Sequence, residues 1–275
     1  MTKNYDTKEQ SLITKTAMTV SDDDVNKALA EAAKQSAGEE KSGGIPYISI
    51  KGSKFKLNDE LIGRHMTAVV LATAYDNAYY DRKYDPDRET IVPPACFAIN
   101  QDQSIMEPHA DSPTPIASSC KVCEFNLFKS AENGKGKMCK NGRRLLLAPV
   151  YYNDIGEGEV DLDDLAIMRI PATSLKLWAT YVKKLDAMHR RPHWSVMTRF
   201  TFDEDADWPI VKAEHLQNIL NNNVVHTIMS SQNMYNELVL QPYNTKDYVA
   251  PTDDEKIGAG GSGKAISQER KSKMS

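Results

Sequence analysis

The feature that most constrains this chain is its set of four cysteines, which all lie within one short stretch of the 275 residues. Cys120 and Cys123 form a C-x2-C knuckle, a tight turn that brings two sulfurs to the same side. Cys96 lies 24 residues before the knuckle and Cys139 lies 16 residues after it, and both stand next to turn-forming residues. We expect the four thiolates to hold one structural zinc ion, Zn2+, with no ligand position reserved for water.

Three alternatives remain open at this point. The four thiols can be ordinary buried side chains, or they can hold an iron–sulfur cluster, which uses the same ligands. His109 can also replace one cysteine as a ligand. In every metal-bound case the function of the metal is to order a loop that is too long to order itself.

Composition favours the cytoplasm and a reducing compartment. The chain contains no window of 18 uninterrupted apolar residues, so we expect no membrane span. It opens with MTKNYDTKEQ, which does not have the pattern of a signal peptide. In a reducing compartment, clustered cysteines indicate metal more than disulfides. The net charge of −4 predicts that any nucleic-acid contact is a local patch.

The distribution of apolar residues divides the chain into three parts. Residues 1–44 are polar, and we expect a flexible arm with one short helix after Ser21. Residues 251–275 have almost no apolar content and are expected to be a disordered tail. The core is therefore expected to span residues 45–250.

The core is predicted to consist mostly of strands, with helices in its C-terminal half. Continuous or alternating apolar runs predict buried strands around residues 66–80 and 143–152. The best helix follows Ser174, which can cap it, with a stripe of Leu177, Tyr181, Leu185 and Met188. A second helix is expected in 216–238, with a weak point at its asparagines. We expect a mainly β, α+β fold, a small barrel or sandwich with peripheral helices.

A basic loop contains the last two cysteines and begins directly after Cys120. Residues 121–144, which we call the basic loop, carry a net charge of +5 in a protein of net −4. Phe125 and Phe128 lie in the same stretch. Cations beside aromatic rings suit phosphates and stacked bases, although a solvated charge run is the alternative. The seven cations are Lys121, Lys129, Lys135, Lys137, Lys140, Arg143 and Arg144.

Two further stretches combine cations with aromatic residues. One, at 189–194, contains Arg190, Arg191 and Trp194, and the other, at 79–84, contains Tyr80. Each is a weak signal alone, and together with the basic loop they favour nucleic-acid binding. The acidic stretch 153–164 is expected to be a solvated hairpin loop.

The sequence carries no positive sign of an enzyme. It lacks the H-E-x-x-H and G-x-S-x-G motifs, and four metal-bound cysteines would leave no free thiol nucleophile. We therefore expect a binding protein without catalytic residues.

A resemblance covers about residues 90–215. The runs PPACFAI, CKVCEFNLF, GKGKMCKNGRR and IPATSLKLWATYV look like a group of tailed-phage proteins associated with replication and single-stranded DNA binding. The resemblance implies an OB-like barrel carrying a zinc loop, a host bacterial cytoplasm and cysteine ligands. It also places Lys135, Lys137, Lys140, Arg143 and Arg144 near DNA. The basic C-terminal end, QERKSKMS, departs from the acidic tails of phage single-strand binders.

These observations favour a sequence-tolerant single-stranded DNA-binding protein that acts in phage DNA replication or recombination. Phe125, Tyr80 and Trp194 are the candidates for stacking on bases. The alternative is a phage regulatory protein that binds a host or phage polymerase, or other phage replication proteins, through the zinc loop. An enzyme or a virion component is the remaining class.

Overall fold

The computed structural model of the protein describes residues 44–57, 60–82, 92–132, 134–153, 155–246 and 248–252. The expected N-terminal arm, except Gly44, and residues 253–275 of the expected tail lie outside the described residues. Strands dominate the described part, and a few short helices accompany them. The predicted mainly β, α+β class is therefore confirmed.

Ten strands form one curled sheet that has the shape of a half-barrel. The strands are β1 (Tyr47–Lys51), β2 (Lys54–Leu57), β3 (Glu60–Gly63), β4 (Met66–Tyr79), β5 (Cys96–Asn100), β6 (Lys140–Tyr152), β7 (Gly158–Val160), β8 (Ala166–Ile170), β9 (Val196–Phe202) and β10 (Val211–Asn218).

The strand order is β10-β9-β4-β6-β8-β1-β2-β3, with β5 added to β4 and β7 added to β6. All neighbouring pairs are antiparallel except β1 and β8, which run parallel. Strands β3 and β10 stand at the two ends of this order, and no pairing between them joins the ends within the described residues.

The long central strands β4 and β6 are buried on both faces, which explains their continuous apolar runs. One apolar cluster on the first face contains Val70, Leu145 and Phe200. A second cluster on the other face contains Val69, Leu146 and Ile167. The sheet therefore carries a core on each side.

A β-bulge in β4 decides which residues face which core. The register against β6 shifts between Val70 and Ala72, so that Leu71 and Ala72 both contribute to the second core. Side chains alternate again beyond the bulge. Asp76 is consequently directed to the same face as Ala72 and Ala74.

Helix α1 (Leu175–Lys184) covers the first core, as the sequence predicts. Ser174 is the N-cap residue, as predicted, but its side chain makes no capping hydrogen bond. Its hydroxyl accepts instead from the backbone N–H of Val211, at 2.8 Å. The buried side chains of the helix and its following turn are Trp178, Tyr181 and Leu185. Leu177 and Met188, which the predicted stripe includes, are exposed.

Helices α2 (Asn222–Ser230) and α3 (Gln232–Val239) follow the last strand and contribute to the second core. The expected weak point at the asparagines is the start of α2, where the Asn221 side chain accepts from the N–H groups of Asn223 and Val224. The preceding residues, up to Asn218, belong to strand β10 rather than to a helix. No helix in the described ranges has both the length and the apolarity that crossing a membrane requires.

Candidate metal centre and basic loop

Two of the four cysteines flank the end of strand β4. Cys96 opens β5 and pairs with Tyr79, and Cys139 immediately precedes β6, where Lys140 pairs with Ala78. Because β5 and β6 lie on opposite sides of β4, these two backbones stand two strand spacings apart, about 10 Å. Cys96 and Cys139 thus approach the end of β4 from its two sides.

The knuckle is held beside this strand end by backbone hydrogen bonds. The N–H of Cys120 donates to the carbonyl of Met106 at 3.0 Å, and the N–H of Val122 donates to Ser119 at 3.3 Å. The N–H of Cys139 donates to the carbonyl of Phe125 at 2.9 Å. Backbone hydrogen bonds therefore hold the chain in place at both Cys120 and Cys139.

All four cysteines line one small cavity, together with Asn77, Tyr79 and Phe125. Its volume is about 20 Å³, enough for a single water-sized particle. Cys123 and Cys139 are buried, Cys96 and Cys120 are half-buried, and none of the four forms a disulfide. We call Cys96, Cys120, Cys123 and Cys139 the thiol cluster.

Burial raises the pKa of three of these thiols. The pKa of Cys139 is raised to about 12 by burial and by the neighbouring thiols, against a lowering effect of Arg169. Burial also raises the pKa of Cys120 and Cys96. Hydrogen bonds partly oppose this, from the Asn77 side chain to Cys120 and from the backbone of Ile116 and the hydroxyl of Ser112 to Cys96.

The chemistry of the thiol cluster fits a zinc ion. Four soft sulfur donors share a cavity for one atom, and polar groups are directed at two of the sulfurs, as around metal-bound thiolates. In the described part of the chain, however, no three His, Cys, Asp or Glu side chains have the spacing of a metal site. The sulfurs therefore share a cavity without forming a coordination shell, and binding requires them to move closer together.

His109, the possible replacement for one cysteine, does not line this cavity. Its ring stacks on Phe97 with 5.1 Å between centroids, and its Nδ1 accepts from the N–H of Asp111 at 3.1 Å. The contacts of the His109 ring are therefore with Phe97 and Asp111, and not with the cysteines. This arrangement favours the four cysteines over a set that contains His109.

A hydrogen-bonded network of three asparagines supports the thiol cluster, and the sequence analysis did not predict it. Asn126 Nδ2 donates to the carbonyl of Cys120 at 2.8 Å, and its Oδ1 accepts from Asn141 Nδ2 at 3.0 Å. Asn141 also donates to Asn77 Oδ1. The sequence offers a signal for Asn126 and Asn141, which closely follow Cys123 and Cys139, but no local signal for Asn77.

The cations of the basic loop differ in their exposure. Lys121, Lys129, Lys135 and Lys140 are exposed. Lys137 is half-buried, and its Nζ donates to Asn126 Oδ1 at 3.0 Å.

The two arginines of the basic loop are not freely exposed. Arg143 is half-buried, with its guanidinium 3.9 Å from the centroid of the Tyr75 ring. Arg144 is fully buried, and its Nε donates to Asp76 Oδ2 at 3.1 Å. Alternation along β6, a strand buried on both faces, forces one of two consecutive arginines into the second core. Arg144 is thus a correction to the expected DNA-facing set.

Asp76 is the centre of a buried charged cluster on the second face. Tyr243 donates its hydroxyl to Asp76 Oδ2 at 2.6 Å, and Arg169 Nε lies 3.5 Å from Asp76 Oδ1. The Arg144 guanidinium also donates to the carbonyl of Gln241 and lies 4.6 Å from the Tyr243 ring centroid. Two cations therefore share one buried carboxylate, and the cluster fixes the chain that follows α3.

That following chain, which we call the C-terminal strap, comprises the described residues of 241–252. Beyond Tyr243, the Tyr248 hydroxyl donates to Asp81, and the Arg82 guanidinium donates to the carbonyl of Val249. The Tyr248 ring packs against the small apolar cluster that contains Cys139. The strap thus connects the buried charges with the thiol cluster.

The aromatic residues of the loop are placed differently from the expectation. Phe125 packs inward, with its ring 4.7 Å from Tyr79, so it is not a free stacking surface. Tyr80 is half-buried, near Arg169 and Asp76. Phe128 is the exposed ring, with 70% of its surface accessible. It replaces Phe125 as the candidate for stacking.

The basic stretch at 189–194 lies elsewhere on the sheet. Arg190 and Arg191 are exposed, and Trp194 packs partly into the second core. His193 Nδ1 lies 2.7 Å from the carbonyl of Val70, which is nine residues, or about 30 Å of strand, before Tyr79. The structure therefore does not bring this stretch together with the basic loop. In the stretch 79–84, residues 83 and 84 lie outside the described residues.

Comparison of this chain with protein-family models, with curated proteins and with solved structures finds no match, so the resemblance to phage proteins stays an expectation from sequence.

Proposed function

We propose that this protein binds single-stranded DNA without sequence preference, in phage DNA replication or recombination, through the basic loop. The observation that carries the proposal is the exposed Phe128 ring in a loop that also carries the exposed cations Lys121 and Lys129. A base can stack on the ring while adjacent phosphates contact the lysines, the combination that sequence-tolerant single-strand binders use. The OB-like barrel is the finer fold that goes with this proposal.

The thiol cluster is proposed to hold a structural zinc ion beneath this surface. Zinc bound there would cross-link the start of β5, the knuckle and the residue before β6. The chain's own contribution is the asparagine network, which holds the Cys120 carbonyl and Lys137 through Asn126. Phe128 and its neighbouring lysines are then presented on a supported loop.

A second candidate function is docking of a protein such as a polymerase. Val122, Leu127 and Phe128 are all exposed apolar side chains within the same loop. Such residues more often mark a protein contact when they lie together. The two candidate functions predict different roles for Leu127. Only an aromatic ring stacks on a base, so Leu127 should matter for binding a protein but not for binding DNA.

The deciding experiment measures binding of a labelled oligothymidylate by fluorescence anisotropy across a salt titration. Phe128→Ala should weaken binding by about 1–3 kcal/mol, the usual contribution of one stacked base. Leu127→Ala is the matched control and should leave the affinity nearly unchanged. Binding should weaken with salt, with a logarithmic slope of about 0.7 for each phosphate contact.

Charge reversal provides the second arm of this experiment. Lys121→Glu combined with Lys129→Glu should weaken binding to all sequences alike, because phosphates carry no sequence information. Lys137 and Arg143 are poorer targets, since Lys137 bonds Asn126 and Arg143 covers Tyr75. Undetectable binding at about 50 mM salt, or equal losses in the Phe128 and Leu127 variants, would favour the protein-docking function instead.

A further inference from the structure

A groove runs between helix α1 and strand β10, which stands at one end of the strand order. Its volume is about 290 Å³, near the lower limit of ligand-binding sites. One wall is a single helical face that includes Leu177, Tyr181 and Lys184. The other wall is the run Lys212–His215 of β10. Because consecutive strand residues line it, the groove meets the backbone edge of β10 and not only one face.

Strand β10 is an edge strand, since β9 is its single strand neighbour among the described residues. The register pairs Val211 with Phe202, and the N–H of Asp203 donates to the carbonyl of Ile210 at 2.9 Å. Antiparallel pairs alternate between those that bond each other and those whose groups point away. Residue 210 and every second residue after it therefore bond β9.

The intervening residues direct their N–H and C=O groups to the outer edge. Val211 follows this pattern, because its N–H donates outward to the Ser174 hydroxyl at 2.8 Å. The next outward positions are Ala213 and His215, which both line the groove. Unpaired backbone groups on an edge strand are a template for pairing with another strand.

The helical wall of the groove is partly apolar. Leu177 in α1 and Met188 in the turn that follows this helix are both exposed, with 72% of Met188 accessible. The side chains that pack against the first core are instead Trp178, Tyr181 and Leu185. The additional apolar side chains are available to a side chain of a bound segment.

The rim of the groove favours acidic ligands. Lys184 is exposed, and the imidazole rings of His189 and His215 stack with centroids 4.0 Å apart. Lys212 is engaged by Asp203 at 3.1 Å. The acid that lines the groove is Glu214, which stands opposite Arg199 in the β9 register. The charged side chains that line the groove are thus two lysines and one glutamate, so their net charge is positive.

We propose that this groove binds an extended, acidic segment of a partner protein, which adds a strand to the edge of β10. Backbone groups of Ala213 and His215 would supply the main-chain hydrogen bonds, and Leu177 and Met188 would receive an apolar side chain of the segment. Lys184 would contact an acidic one. Strand addition beside a helix is a common way of recognising extended peptides.

The probe is a fluorescein-labelled synthetic peptide in which Glu and Val alternate, and the full-length protein is titrated into it. A peptide in which Lys replaces Glu is the charge control and should not bind. On binding of the Glu–Val peptide, the amides of Ala213 and His215 should become protected from hydrogen exchange. Lys184→Glu should weaken binding about tenfold, as loss and reversal of a rim charge predicts.

Two variants separate the proposal from misfolding. Lys183→Glu is the matched control, since Lys183 is exposed on the same helix turn but does not line the groove, and it should bind normally. Ala213→Pro should abolish binding with little change in the thermal midpoint, because Pro is tolerated where an edge-strand N–H faces away from the ladder.

Three outcomes would overturn the proposal. They are no binding of the Glu–Val peptide, equal affinities of the Lys184 and Lys183 variants, and unchanged binding by the Ala213 variant. A dimer of the free protein that Ala213→Pro dissociates would also overturn it, since the edge would then serve a second copy of this chain.

Discussion

At the scale of single residues, the buried charges contribute more to the stability of the fold than the exposed ones. Arg144 and Asp76 are both inaccessible to solvent, and their ion pair joins the two central strands β6 and β4. Removing a charge from such a site leaves its partner buried and unpaired. An exposed pair has no such consequence, because water replaces the lost partner.

Asp76→Asn should therefore destabilise the protein by about 3–5 kcal/mol, the usual cost of leaving a buried charge without its partner. Two arginines, Arg144 and Arg169, lose their shared carboxylate in this variant. The free energy of unfolding in urea measures the effect. Asp186→Asn is the control, because its ion pair with Arg190 is exposed, and its midpoint should barely move. Equal stability of the two variants would show that the buried pair does not hold the fold.

At the scale of elements, the thiol cluster joins pieces of chain that have little regular structure between them. Between Asn100 and Lys140 the described chain forms only short 3-10 turns, so it buries few apolar side chains of its own. Metal binding is a usual way for such a segment to become ordered. The asparagine network supplies polar support, but it cannot replace four bonds to one ion.

Purified full-length protein should contain about one zinc ion per chain, as expected for a four-thiolate structural site. Cys123→Ser should lose the metal, lower the thermal midpoint and speed hydrogen exchange between Cys96 and Cys139. Asn126→Ala is the informative comparison, since it removes the support of Cys120 without removing a ligand, and it should keep its metal. Metal analysis by mass spectrometry distinguishes zinc from iron. Protein without either metal, whose four thiols all react while it is folded, would contradict the zinc hypothesis.

At the scale of the whole molecule, local patterns predicted the elements but not their partners. The apolar runs located β4 and β6, and helical spacing located α1, because burial acts on neighbouring residues in a regular period. The burial of Arg144 depends on its pairing with Ala74 in the distant strand β4, and no local pattern contains that register. One signal existed, since Asp76 is a lone acid in an apolar strand and therefore needs a buried cation.

The C-terminal strap gives the last prediction, because it connects distant parts of the fold. A chain that ends after Leu240 lacks Tyr243, which donates to Asp76, and Tyr248, which packs against the apolar cluster containing Cys139. It should be less stable by several kcal/mol, since a hydrogen bond to a buried charge alone contributes about 1.5–3 kcal/mol. A chain that ends after Thr252 keeps the strap and is the matched control.

The two truncations should differ in metal retention as well as in stability. Loss of the strap removes the side chain that covers the Cys139 side of the thiol cluster, so a chelator should extract zinc faster from the shorter chain. The longer truncation product should match the full-length protein in both measurements, because residues 253–275 have almost no apolar content with which to form a packed contact. Equal thermal midpoints and equal extraction rates for the two products would mean that the strap contributes neither to the stability of the fold nor to metal retention. A lower midpoint with unchanged extraction would confine its role to the buried charges around Asp76.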